Sequence, residues 1–157
     1  MDAYALLKTL HILSSTILFG FGAGTAWYFW NAHRSRDPAL IARVGRMVVR
    51  ADWLFTGTSG VMQPVSGVAL AHLAGWPLDA PWLVATYALY AIAFACWTPV
   101  VWLQITAQRL AAHAAATSQP LPPAYHRVMR WWFALGWPAF LGLVVVFWLM
   151  VTKPALW

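Results

Sequence analysis

Glutamate is absent from this 157-residue chain, and the only acidic residues are four aspartates. Charged side chains make up 9% of the sequence, where an ordinary soluble domain carries about a quarter. A water-facing surface cannot be assembled from so few charges, which excludes a soluble globular domain and requires lipid in place of solvent. The single cysteine, Cys96, excludes an internal disulfide and any site built from several thiolates. A glycine-rich phosphate loop, a nucleophile elbow, an H-E-x-x-H run and paired intramembrane carboxylates are all missing. With them go the usual signatures of nucleotide-binding enzymes and hydrolases.

Apolar length is what the chain has in abundance, with 62% hydrophobic residues. Residues 4–30, YALLKTLHILSSTILFGFGAGTAWYFW, exceed the roughly 20 residues that carry a helix across the hydrocarbon at about 1.5 Å each. No basic leader precedes this run, so it reads as a retained helix rather than a signal peptide. Three further runs follow, and the expected helices cover about 3–31, 48–74, 82–108 and 126–151. The connection LAGWPLDAPW is short and rich in Gly and Pro, which makes the helices on either side of it antiparallel neighbours. Gly136-Trp137-Pro138 is expected to interrupt the last helix, and Pro64 to kink the second. The expectation is an all-α, integral membrane, antiparallel four-helix bundle forming one domain over 1–157. Several of the twelve tryptophans, among them Trp27, Trp30, Trp76 and Trp82, lie near the ends of these runs, where an amphipathic ring prefers the headgroup boundary.

The formal charge of +6 does not indicate nucleic acid, because the basic residues cluster between apolar runs. Asp37-Pro38 reads as a helix start, a capping carboxylate followed by proline at the first helical position. Beyond it, Arg43, Arg46 and Arg50 form one stripe suited to lipid phosphates. This amphipathic lead-in is expected to run straight into the second span. Arg34 and Arg36 share its loop, and Arg109, Arg127 and Arg130 flank the second basic loop, whereas 75–81 has no Lys or Arg. The positive-inside rule then puts both loops in the cytoplasm and both termini on the non-cytoplasmic side.

Polar residues inside the spans are the candidates for chemistry. Asp52, Thr56, Ser59, Gln63 and Ser66 recur every three or four residues and share one helix face. Such a stripe must face other helices or an internal cavity. A lining of Ser15, Ser59, Gln63, Ser66, Thr86 and Tyr90 is expected for that cavity. Asp52, close to a helix end, is read first as the partner of Arg50 or of the nearby basic loop. His33, His113 and His126 fall in or beside the loops and read as solvated. His11 and His72 fall in the outer half of the membrane, and two imidazoles on facing helices can hold a haem iron. His72 follows Gln63 by nine residues, about half a turn out of phase with the polar face. His11 shares a stripe with Ser15, Leu18 and Gly22 and is the stronger candidate.

LLKTLHIL in the first helix, Trp82-Leu83 at the start of the third and the ending FWLMVTKP resemble a bacterial family of predicted integral membrane proteins. That family is distantly similar to the HemJ-type protoporphyrinogen oxidases and to the CopD-type copper-resistance membrane domain. The resemblance implies a b-type haem with His11 as axial ligand, completed by His72, by a tyrosine of the third helix or by water. It also implies a location in the bacterial inner membrane. HemJ-type enzymes carry a lysine shortly after the tryptophan that opens the third helix. Thr86 stands there here, which implies haem binding without porphyrinogen oxidation. The other readings are a copper or small-solute transport module and a non-catalytic membrane subunit. The expected associates are the lipid bilayer, with a second copy or a membrane redox partner.

Overall fold

The computed structural model describes residues 2–156, and every regular element among them is helical. Helix α1 covers Ala3–Ser35, α2 covers Pro38–Ala51, α3 covers Thr58–Leu73, α4 covers Pro81–Ala116 and α5 covers Pro123–Thr152. Asp2 caps α1 by accepting from the Tyr4 amide at 3.1 Å. Asp37 does the same for α2, accepting from the Ala39 amide at 2.9 Å with Pro38 in the first turn. The connection ahead of α2 is tight because Arg36 takes a left-handed conformation (φ 58°) that ends α1.

Helices α1, α4 and α5 are each long and apolar enough to cross a membrane. In the most apolar stretch of α1 and of α5 only 6% of residues are buried within the molecule. Leu13, Trp137 and Val151 are among the exposed side chains, so the bulk of the apolar surface is left for lipid. The expected span over 48–74 is built differently. The lead-in does run straight on, but α2 joins α3 through a π-helical turn, Asp52–Gly57. Alone, the 16 residues of α3 reach about 24 Å, short of a typical hydrocarbon core of about 30 Å. Helices α1, α4 and α5 also extend beyond the expected limits of 31, 108 and 126. Gly136-Trp137-Pro138 does not interrupt α5, which stays helical through Pro138.

Contacts order the helices. His11 meets Ser66 and Thr25 meets Asp52, so α1 and the α2–α3 rod run in opposite directions. Phe19 stacks on Phe140 and Phe29 meets Trp132 edge to face, which orients α5 against α1. Gly142 faces Leu89 and Ala93 on α4. Lys153 lies over the rings of Trp76 and Trp82, gathering the start of α4, the α3–α4 connection and the end of α5 at one end of the molecule.

The tightest packing is at the opposite end. Phe29, Ile41, Tyr125 and Met129 are fully buried there, joined by Ala107 and Ala111. Helix α2 turns Ile41, Ala42, Gly45 and Val48 inward and leaves Arg43, Arg46 and Arg50 exposed, the outward basic stripe its spacing requires. Gly45 permits this seat, because a Cβ there would lie 2.9 Å from the Gln108 Cβ and 3.2 Å from the Phe29 ring. Gly45→Ala is therefore expected to lower stability by about 1–3 kcal/mol, the usual cost of overpacking, read as a lower unfolding midpoint in detergent. Gly20→Ala, where the added methyl meets nothing within 4 Å, is the matched control.

Candidate functional site

Two polar centres lie along the rod, one facing α1 near its start and the other facing a cavity. In the first, His11 Nδ1 lies 2.7 Å from Ser66 Oγ. Ser66 spends its single hydroxyl hydrogen on the Met62 carbonyl at 2.6 Å. The hydrogen between Ser66 and the imidazole must therefore come from Nδ1, which leaves the Nε2 lone pair uncommitted. Gln63 Nε2 donates to the His11 carbonyl at 2.9 Å and to Ser14 Oγ at 2.5 Å. Gly67 completes the seat: a Cβ there would stand 3.3 Å from His11 Cε1. The ring is half-buried between α1 and α3.

The second centre is formed around Asp52, which is 3% exposed. Its Oδ1 accepts from Thr25 Oγ1 at 3.0 Å and from Thr56 Oγ1 at 3.1 Å, and the Gln104 side chain faces the same carboxyl. The ion pair expected with Arg50 does not form. Asp52 occupies the inward face of the π turn, whereas Arg50, two residues earlier, points outward and is exposed. Asp52, Thr56 and Gln104 border a cavity of about 610 Å³ between α1, the π turn, α4 and α5. Its walls are aromatic, with Tyr90, Trp97, Trp132 and Phe140 among them.

The expected lining is thus dispersed. Of the six residues, only Tyr90 borders this cavity. Gln63 and Ser66 serve the His11 centre, and Ser59 is buried in α3. Thr86 donates to the Trp82 carbonyl at 2.8 Å and Ser15 to the Ile12 carbonyl at 2.7 Å, so both hydroxyls are spent on their own helices. His72 is exposed at the end of α3, five residues beyond Gly67 and so rotated well away from the face that receives His11. His33 is not simply solvated, since its Nδ1 lies 3.0 Å from the Tyr125 hydroxyl. His113 and His126 are exposed. Among the described residues no three His, Cys, Asp or Glu side chains come together as a metal site.

Gln104 and Trp132 are not among the candidate residues that the sequence offers. Both are buried, and Gln104 Oε1 and Trp132 Nε1 have no hydrogen-bond partner. Periodicity along one helix cannot signal them, because their company comes from other helices.

A family model described as "Predicted integral membrane protein (DUF2269)" matches residues 5–154. The chain belongs to this family. The match covers all five helices and both polar centres, so the apolar surface described above is that of an integral membrane protein in its bilayer. No curated protein and no solved structure matches the chain.

Pro64 connects the rod to the cavity. It has no amide hydrogen, so the Gly60 carbonyl lacks its α-helical donor. The Tyr90 hydroxyl, reaching across from α4, donates to that carbonyl at 2.6 Å. Tyr90→Phe is expected to cost about 1 kcal/mol in a denaturant titration of the detergent-solubilised protein. Adding Pro64→Ala should recover most of that loss, because the restored amide satisfies Gly60 from within the helix. A double variant no more stable than Tyr90→Phe would contradict this account.

Proposed function

We propose that this family member is a redox-type membrane protein holding a b-type haem through Nε2 of His11. The supporting observation is the hydrogen bond from His11 Nδ1 to Ser66, whose own hydrogen is committed to Met62. A metal-bound imidazole characteristically donates its other ring N–H to a fixed acceptor, which selects the tautomer and orients the ring. The donor chemistry fits one axial position. It does not fit a bis-histidine site, since His72 is exposed on another face of α3. Haem bound there would supply one-electron redox chemistry.

The chain's own part is to hold the imidazole. Ser66 sets the tautomer, Gly67 leaves room for the ring, and Gln63 with Ser14 pins α1 to α3 one turn away. Thr86, where the HemJ-type resemblance would place a lysine on α4, instead donates its hydroxyl to its own helix. The charge pattern supports a bacterial inner-membrane setting with both termini on the non-cytoplasmic side. The arginines of α2 then lie at the cytoplasmic lipid surface. A copper or solute path along the rod has less support, because Ser59 is buried and Gln63 and Ser66 are bonded to α1.

Expression in haem-replete cells and purification in mild detergent provide the test. The wild type is expected to show a Soret band, and His11→Ala to lose it. Ser66→Ala should keep the band but bind haem about 10–100-fold more weakly, the usual effect of losing the partner of a ligating histidine. A wild type without a Soret band would overturn the proposal, and an unchanged spectrum in His11→Ala would overturn the ligand.

A further inference from the structure

The cavity beside Asp52 has its own chemistry, independent of His11. A carboxyl 3% exposed is placed where water is scarce, and the side chains facing it are Thr25, Thr56 and Gln104, all neutral. A buried carboxylate without a cation is costly, and ionisable groups inside membrane spans usually mark a ligand or ion site. The second polar acceptor is Gln104 Oε1, an atom without a hydrogen-bond partner on a residue that is also 3% exposed and borders the cavity. Asp52 and Gln104 thus border one space of about 610 Å³ together with Trp132, whose Nε1 is also unpartnered, and no Lys, Arg or His is among the residues lining it.

The other walls are aromatic faces. Tyr90, Phe94, Trp97, Trp132, Trp137 and Phe140 all border the space. Trp137 and Phe94 are 61% and 50% exposed, which sets that rim against the acyl chains. Aromatic faces attract cations through their quadrupoles, most strongly where water is excluded, and aromatic enclosures recognise quaternary ammonium groups in this way. A hydrocarbon body alone would fill the walls but leave the Asp52 charge without a counter-charge and Gln104 Oε1 without a partner.

We propose that this cavity is a binding site for a lipophilic organic cation, a quaternary or protonated ammonium or phosphonium carried on an apolar body that enters from the bilayer. The positive charge lies between the Asp52 carboxylate and the aromatic walls, and the body occupies the space between α1, α4 and α5. Gly22 borders the cavity, and a Cβ added there meets nothing within 4 Å, so a larger side chain at 22 would take the ligand's place.

Tetraphenylphosphonium and tetraphenylborate have the same shape and opposite charge, which makes them suitable probes. The full-length protein in lipid nanodiscs is titrated with each, following tryptophan fluorescence and subtracting empty nanodiscs. Saturable binding is expected for the phosphonium and none above background for the borate. Asp52→Asn, which keeps an oxygen for Thr25 and Thr56, should weaken phosphonium binding at least about tenfold, as loss of a desolvated charge partner predicts. Gly22→Leu tests the same site without touching the carboxyl and should also abolish binding. His11→Ala should leave phosphonium binding unchanged, which separates this site from the haem proposal. Absence of phosphonium binding, or unaltered affinity in Asp52→Asn or in a folded Gly22→Leu, would overturn the assignment. So would saturable binding of the borate with equal or higher affinity, the outcome an unpartnered Trp132 Nε1–H would favour.

Discussion

In hydrocarbon a polar group has no water to fall back on, and the seam between α1 and α3 is organised by that condition. Ser14, Gln63, Ser66 and the His11 imidazole and carbonyl satisfy one another across it. Further along α1, Thr25 meets Asp52 of the π turn, so polar contacts join α1 to the rod at two levels. Apolar packing alone would not fix the register, because lipid tails compete equally for Leu and Val faces. Hydrogen bonds do, since sliding one helix by a residue would strand several polar groups at once.

The same condition explains the path of the rod. A proline in mid-membrane removes one amide, and a tyrosine from another helix replaces it at the Gly60 carbonyl. The π turn at Asp52–Gly57 lies where the chain leaves the amphipathic α2 for the apolar α3. It turns Asp52 inward while Arg50 remains outside. Two residues of opposite charge, two positions apart in sequence, thereby serve opposite surfaces.

Much of the architecture was legible from composition and periodicity. Absent glutamate, long apolar runs, the Asp37-Pro38 start and the spacing of Arg43, Arg46 and Arg50 each translate into helices and faces that the coordinates contain. His11 was legible as an imidazole that must find company. Its partner Ser66 lay on the stripe already identified, though which stripe residue it meets depends on how two helices are staggered. Asp52 was misread because proximity in sequence to Arg50 says nothing about rotation about a helix axis, least of all through a π turn. The cavity was invisible for a related reason. It is bordered by residues from all of α1, the π turn, α3, α4 and α5, with Gly22, Gly57, Gly60 and Gly136 among them.

Gly45 has a mechanical consequence. It seats α2 directly on Gln108, one helical turn along α4 from Gln104, which borders the cavity. The opposite face of α2 carries the exposed arginines Arg43, Arg46 and Arg50. No hinge or loop intervenes between that charged face and the chamber wall, so α2 and the wall can shift only as one body.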